Sequence, residues 1–196
     1  MGITIHYKGK LNSSDLIEPF CNEIEDIAKD MDWKYSILEN DLYKPNSSRI
    51  DNGNIIGHIP LKGISLSIHK DAESLSFYFD KDGNLRNLFS MTFLSEDELS
   101  ESSDFVKTQF APIQIHITII KLLKYIKSKY INNLEVIDEG DYWISQDEEL
   151  LKKKFDFLNE KINEVGNLLN NIEFNKDDSV KTMVDRIESV LRNYLK

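Results

Sequence analysis

The residues of this chain best suited to chemistry are two histidines and one acidic turn. His69 closes an alternating run, Gly63-Ile64-Ser65-Leu66-Ser67-Ile68-His69, and His116 stands inside the apolar stretch that follows Pro112. The turn Asp138-Glu139-Gly140-Asp141 gathers carboxylates around a glycine. An imidazole beside a carboxylate can exchange a proton near neutral pH, and imidazoles with carboxylates together can hold a divalent metal. Convergence of His69, His116, Asp138, Glu139 and Asp141 would define a metal-dependent or acid–base site of hydrolase type. No spacing in the sequence requires that convergence. The plainer expectation is a hydrogen-bonded core histidine at 116 and a solvated acidic turn, with no resident metal or cofactor.

A second group of polar residues lies on paired strands. Side chains alternate between the two faces of a strand, so Ser65, Ser67, His69, Ser74, Ser76, Tyr78 and Asp80 share one side. Antiparallel sheets often leave such a face wet. Ser65, Ser67, Ser76, Tyr78 and Asp80 are the candidates if the face instead binds a ligand or partner.

Other motifs fail on spacing. Asp80-Lys81-Asp82-Gly83-Asn84 starts like a calcium loop, but its glycine comes too early and Met91 stands where the closing glutamate belongs. Gly63-Ile64-Ser65-Leu66-Ser67 lacks the closing glycine of a nucleophile elbow. Eight glycines scattered along the chain assemble neither a Walker loop nor a dinucleotide fingerprint.

The elements that would position these groups centre on residues 55–93, which read as an antiparallel meander of about four strands. A four-residue connection at 70–73 would set Ser67 opposite Ser76 and Ser65 opposite Tyr78. A three-residue Lys81-Asp82-Gly83 loop, with Gly83 left-handed, sets Phe79 opposite Leu85 and Leu75 opposite Phe89. Alternation in Ile3–Lys8 predicts a first strand with His6 on its polar side, and Leu134–Ile137 reads as a last strand. Tyr35–Leu38 is a further short strand. Residues 40–54 and 95–104 read as loops, the second kept solvated by its acidic residues.

Two helices are predicted to cover the sheet. Residues 15–32 carry a stripe from Leu16 to Met31 behind an Asp15–Glu18 capping box, with Cys21 on its buried side. Residues 111–131 alternate like a strand through Ile113, Ile115, Ile117 and Ile119, yet run unbroken into a helical pattern, so a buried helix is preferred, its lysines 121, 124, 127 and 129 reaching solvent. The fold class is therefore α+β over residues 1–144. From 145 onward, after a Ser145–Glu148 capping box, Leu151, Phe155, Leu158, Ile162, Val165, Leu169 and Ile172 recur at coiled-coil spacing. Asn175–Asp178 breaks the run, and Val180, Val184, Ile187, Leu191 and Tyr194 repeat the spacing, so residues 145–196 should form an antiparallel helical hairpin. Leu150, Phe157, Leu168, Met183, Val190 and Leu195 lie beside these seams and exceed what one hairpin partner covers.

Composition narrows the function. The 196 residues carry 34 acidic and 24 basic side chains, a net charge of −10, which disfavours nucleic-acid phosphates and anionic membranes. No apolar run is long enough to span a bilayer, and the single Cys21 rules out an internal disulfide. The N-terminus shows no targeting pattern. The sequence thus points to a soluble, acidic, cytoplasmic binding protein without catalytic activity, its C-terminal helices meeting a protein partner or a second copy.

Overall fold

The computed structural model describes residues 2–95, 98–99, 102–172 and 179–194. The class is α+β with antiparallel sheets. Two compact units divide the chain, Met1–Leu151 and Lys152–Lys196.

In the first unit only three strands of the 55–93 stretch, β5 (Lys62–Ser67), β6 (Leu75–Phe79) and β7 (Leu85–Arg86), share a sheet, and its fourth place is taken by the earlier short strand β2 (Lys34–Glu39), in the order β2-β5-β6-β7. The β6–β7 turn follows the sequence: Phe79 pairs with Leu85, and Gly83 is left-handed at φ 82°. Its added Cβ would meet only ordinary contacts at 3.4 Å, so strain at positive φ decides the outcome of a substitution. Gly83→Val is expected to cost about 1–2 kcal/mol in urea unfolding, because a β-branched residue resists that region.

Two register expectations fail. Ser76 pairs with Ser65, not Ser67, because β5 ends at Ser67 and β6 starts only at Leu75, so the connection is longer than four residues. The displacement is two positions, which leaves every side chain on its expected face. Leu75 does not meet Phe89. β7 stops at Arg86, and the Asn87 carboxamide oxygen accepts the N–H groups of Phe89 and Ser90, starting a helix, α2 (Leu88–Phe93), where strand was expected.

The first and last strands lie outside the four-stranded sheet. β1 (Thr4–Lys8) lies between β8 (Asp104–Lys107) and β9 (Glu135–Asp138), antiparallel to both, in a sheet of its own. Beyond β1 the chain touches the meander: Leu85 N–H donates to Gly9 O and Leu11 N–H to Gly83 O, both at 2.9 Å. The Tyr7 hydroxyl makes a second tie, donating to Ser76 O at 2.8 Å and accepting Ser76 N–H at 3.1 Å. The expected loop at 40–54 also holds a small hairpin, β3 (Arg49–Asp51) and β4 (Asn54–Ile56), turned by Asn52 and Gly53 at positive φ. Asn-Gly is the turn such hairpins favour.

The helix α1 (Ile17–Asp30) lays Phe20, Ile24 and Ala28 on the meander. Phe20 meets Phe77, Phe79 and Tyr130 edge-on, at centroid distances of 5.4, 5.1 and 5.2 Å, a favoured geometry for aromatic rings. A 3-10 turn, Ser14–Leu16, capped by Ser13, leads into α1, which has no side-chain cap of its own, so the Asp15–Glu18 box does not form. Residues 113–129 are helical, α3 (Ile113–Lys129), with Ile119, Ile120, Leu123 and Ile126 fully buried. Glu23 of α1 accepts the hydroxyls of Tyr125 and Tyr130 and pairs with Lys129, tying the two helices together.

After β9 come a single turn, α4 (Tyr142–Ser145), and the long α5 (Glu148–Asn170). The cap of α5 is Asp147, whose carboxylate accepts Glu149 and Leu150 N–H, not the expected Ser145–Glu148 box. The last helix is α6 (Val180–Tyr194). The predicted break at Asn175–Asp178 and Leu195 lie outside the described residues. Among the described residues no helix is long and apolar enough to cross a membrane.

Candidate functional site

The structure joins two of the residues singled out for chemistry. α3 presents His116 toward the end of β9, where Nε2 faces Asp138 Oδ1 at 3.1 Å. On the other side of the ring, Nδ1 lies 2.8 Å from the Thr108 hydroxyl. The Thr108 hydroxyl also donates to Ile3 O at 3.3 Å, so the ring is held between that hydroxyl and the carboxylate. Asp138 also accepts Gly140 N–H at 2.7 Å and Trp143 N–H at 2.8 Å. Burial works to raise the Asp138 carboxyl, but His116 and the two backbone donors outweigh it and hold the group below its ordinary value.

This hydroxyl–imidazole–carboxylate chain is closed to substrate. His116 and Thr108 are 0% exposed. Gly140 covers the pair so closely that a Cβ there would stand 2.9 Å from Nε2 and 3.0 Å from Oδ1. Leu151 packs on the same point. Proton transfer needs the reacting atom within hydrogen-bond reach or one water away, and the site offers no such approach.

The other nominated groups serve local structure. His69 sits in the β5–β6 connection, its Nδ1 accepting Asp71 N–H at 3.2 Å. Glu139 accepts Thr4 N–H at 2.8 Å. Asp141 precedes α4 with φ 61°, and its N–H donates to Asp138 O.

The polar face of β5 and β6 is partly covered. Ser65 and Ser76 hydroxyls bond each other at 2.8 Å, whereas Ser67 is exposed. Tyr78 is buried with Ile59 and Leu61, against Leu38, Leu88 and Met91. Asp80 holds the turn, accepting N–H from Asp82 and Asn84 and pairing with Arg86 at 2.9 Å. It borders a cleft of about 480 Å³ with Leu42, Pro60, Met91 and Leu99. Cys21 is half-buried, and burial with the nearby Glu39 charge pushes its thiol up to about 11, away from reactivity.

One buried acid escaped sequence reasoning. Asp104, expected in a solvated segment, begins β8 and is 6% exposed. Its Oδ1 accepts from the Asn87 amide and from Phe105 N–H, both at 2.8 Å. Burial pushes the carboxyl up to about 6 against the lowering effect of those donors. A carboxyl raised in the folded state binds its proton more tightly there than when unfolded, so stability grows as pH falls from above 6 toward 4. Asp104→Asn keeps the accepting oxygen and removes the charge. Urea melts should show a gain of about 1–2 kcal/mol at pH 8 that vanishes near pH 4.

The molecule is thus an α+β protein whose only histidine–carboxylate pair of this kind among the described residues is sealed in the core. Comparison with protein-family models, curated proteins and solved structures finds no match for the chain.

Proposed function

We propose that this chain is a binding protein without catalytic activity whose C-terminal helices engage a helical protein partner. The observation that carries this is the burial of α5 and α6. Leu151 and Phe155 are buried, but no described residue beyond Phe155 is, although Leu158, Ile162, Val165, Leu169, Val180, Val184 and Ile187 keep the spacing of a helical seam. Phe157 is 55% exposed and Val184 46%. An apolar strip at 3–4 spacing is what helix-in-groove recognition uses, and one left partly open to water at Ile162, Val180 and Val184 has room for a partner.

Truncation after Phe155 tests the proposal. If the seams serve a partner, the shortened protein stays soluble and its thermal midpoint moves by no more than about 2 °C. Aggregation or loss of cooperative melting would make the helices part of the core.

The alternative is an enzyme using His116 and Asp138, for which the Thr108–His116–Asp138 order of hydroxyl, imidazole and carboxylate speaks, and which requires the cover formed by Gly140 and Leu151 to open. Its metal-dependent form would need further ligands, because among the described residues no three His, Cys, Asp or Glu gather. Melts with and without EDTA, followed by metal analysis, distinguish that form, because a metal bound to the folded state stabilises it by mass action and its removal lowers the midpoint.

A further inference from the structure

The outer face of the β8-β1-β9 sheet is ordered level by level. Ile5 and Tyr7 point into the core, so Thr4, His6 and Lys8 point out. Lys107 of β8 pairs with Thr4, and Glu139, just past β9, gives its N–H to Thr4 O, so lysine and glutamate flank the first level. Phe105 and Ile137 flank His6 at the second, 46% and 71% exposed. The Phe105 and His6 rings are 6.0 Å apart. At the third level Lys8 pairs with Glu135, 3.6 Å away. The β8 side is thus aromatic and basic, and the β9 side aliphatic and acidic.

We infer that this face binds the same face of a second copy about a two-fold axis parallel to β1, setting Lys107 against the other copy's Glu139 and Phe105 against its Ile137. A rotation about that axis keeps each level and exchanges the two sides, which is what an isologous interface requires. The other face-to-face two-fold, across the strands, would keep the sides and invert the levels, stacking Glu139 on Glu135. Sheets stacked about 10 Å apart interdigitate side chains of this size. Across the axis His6 meets His6, and Lys8 meets Lys8 with Glu135 beside each. Lys8 and Lys107 offset Glu135 and Glu139, with Glu73 held beside β8 by Lys107 N–H, so the patch is closer to neutral than the chain as a whole with its net charge of −10. None of its residues belongs to the helical seams, and the contact does not depend on their role.

Three short strands make a small interface, so the dimer should be weak, with a Kd of about 10⁻⁵–10⁻⁴ M. Sedimentation equilibrium of the full chain from about 5 to 500 µM spans that range. Lys107→Glu and Ile137→Glu should each weaken the dimer about tenfold or more, and Lys107→Glu combined with Glu139→Lys should restore it to within about threefold. Ile137 is exposed, so loss of dimer in that variant with an unchanged melt reports the interface and not the fold. A monomer throughout the range, or a dimer indifferent to all three variants, overturns the proposal. Phe157→Glu on α5 should leave the equilibrium unchanged, and a dimer that it alone abolishes would belong to the helices.

Discussion

Asp138→Ala should lower the stability of the protein by about 3–5 kcal/mol between pH 5 and 8, measured by urea unfolding. The carboxylate accepts two backbone N–H groups and faces the His116 imidazole, with its side chain 1% exposed. Removing it leaves those donors facing an apolar gap that water cannot readily fill. The pH dependence provides a second signature. Because the folded group titrates below its ordinary value of 3.8, its contribution is fully present above that value and is lost as pH falls through the lower, folded one. The Asp138 share of the difference between wild type and variant should therefore shrink as pH falls below about 4. His116→Ala should be comparably damaging, and the double variant should cost less than the sum, since both remove one network.

Gly63→Ala should cost about 3 kcal/mol or more, although it adds one methyl group. Gly63 pairs with Tyr78 across β5 and β6, and a Cβ there would stand 1.9 Å from Phe77 O and 2.7 Å from Tyr78 Cα. Both are backbone atoms, so no rotamer change relieves the collision and the strands must separate. A control lies in α5. At Gly166 an added Cβ meets nothing within 4 Å, and Gly166→Ala should raise stability by about 0.5–1 kcal/mol through helix propensity alone. Chemical melts of the two variants should move in opposite directions.

The parts of the fold legible in the sequence were those written in local spacing. Alternation around Leu66 and Phe77, Gly83 in its turn, and the unbroken run from Ile113 to Lys129 each correspond to an observed element. Failures came where a short polar side chain redirected the backbone. Asn87 ended a strand by capping a helix, and Asn52-Gly53 made a hairpin inside a stretch read as loop. The latter carried a usable signal in its Asn-Gly pair. Asp104 misled because acidic neighbours suggest solvent, whereas its pairing with Tyr7 across β1 and β8 is invisible to any local window. At the candidate site, His116 and Asp138 could be nominated by residue type. Thr108, eight positions before His116, needed the geometry of β8 and α3 to be recognised as the other partner of the ring.

The placement of β1 between β8 and β9 governs how the chain can assemble. The meander and its turns join near neighbours, but β1 meets partners as distant as the 135 positions that separate Thr4 from Glu139. Loop closure must precede any reward from such pairing, so the three-stranded sheet forms late and slowly. During synthesis at about 5–20 residues per second, Ile3, Ile5 and Tyr7 wait several seconds before β8 and β9 exist to cover them. The first strand is then the segment of the nascent chain most in need of shielding, and a chaperone that releases it before residue 138 has emerged would release it without its native partners.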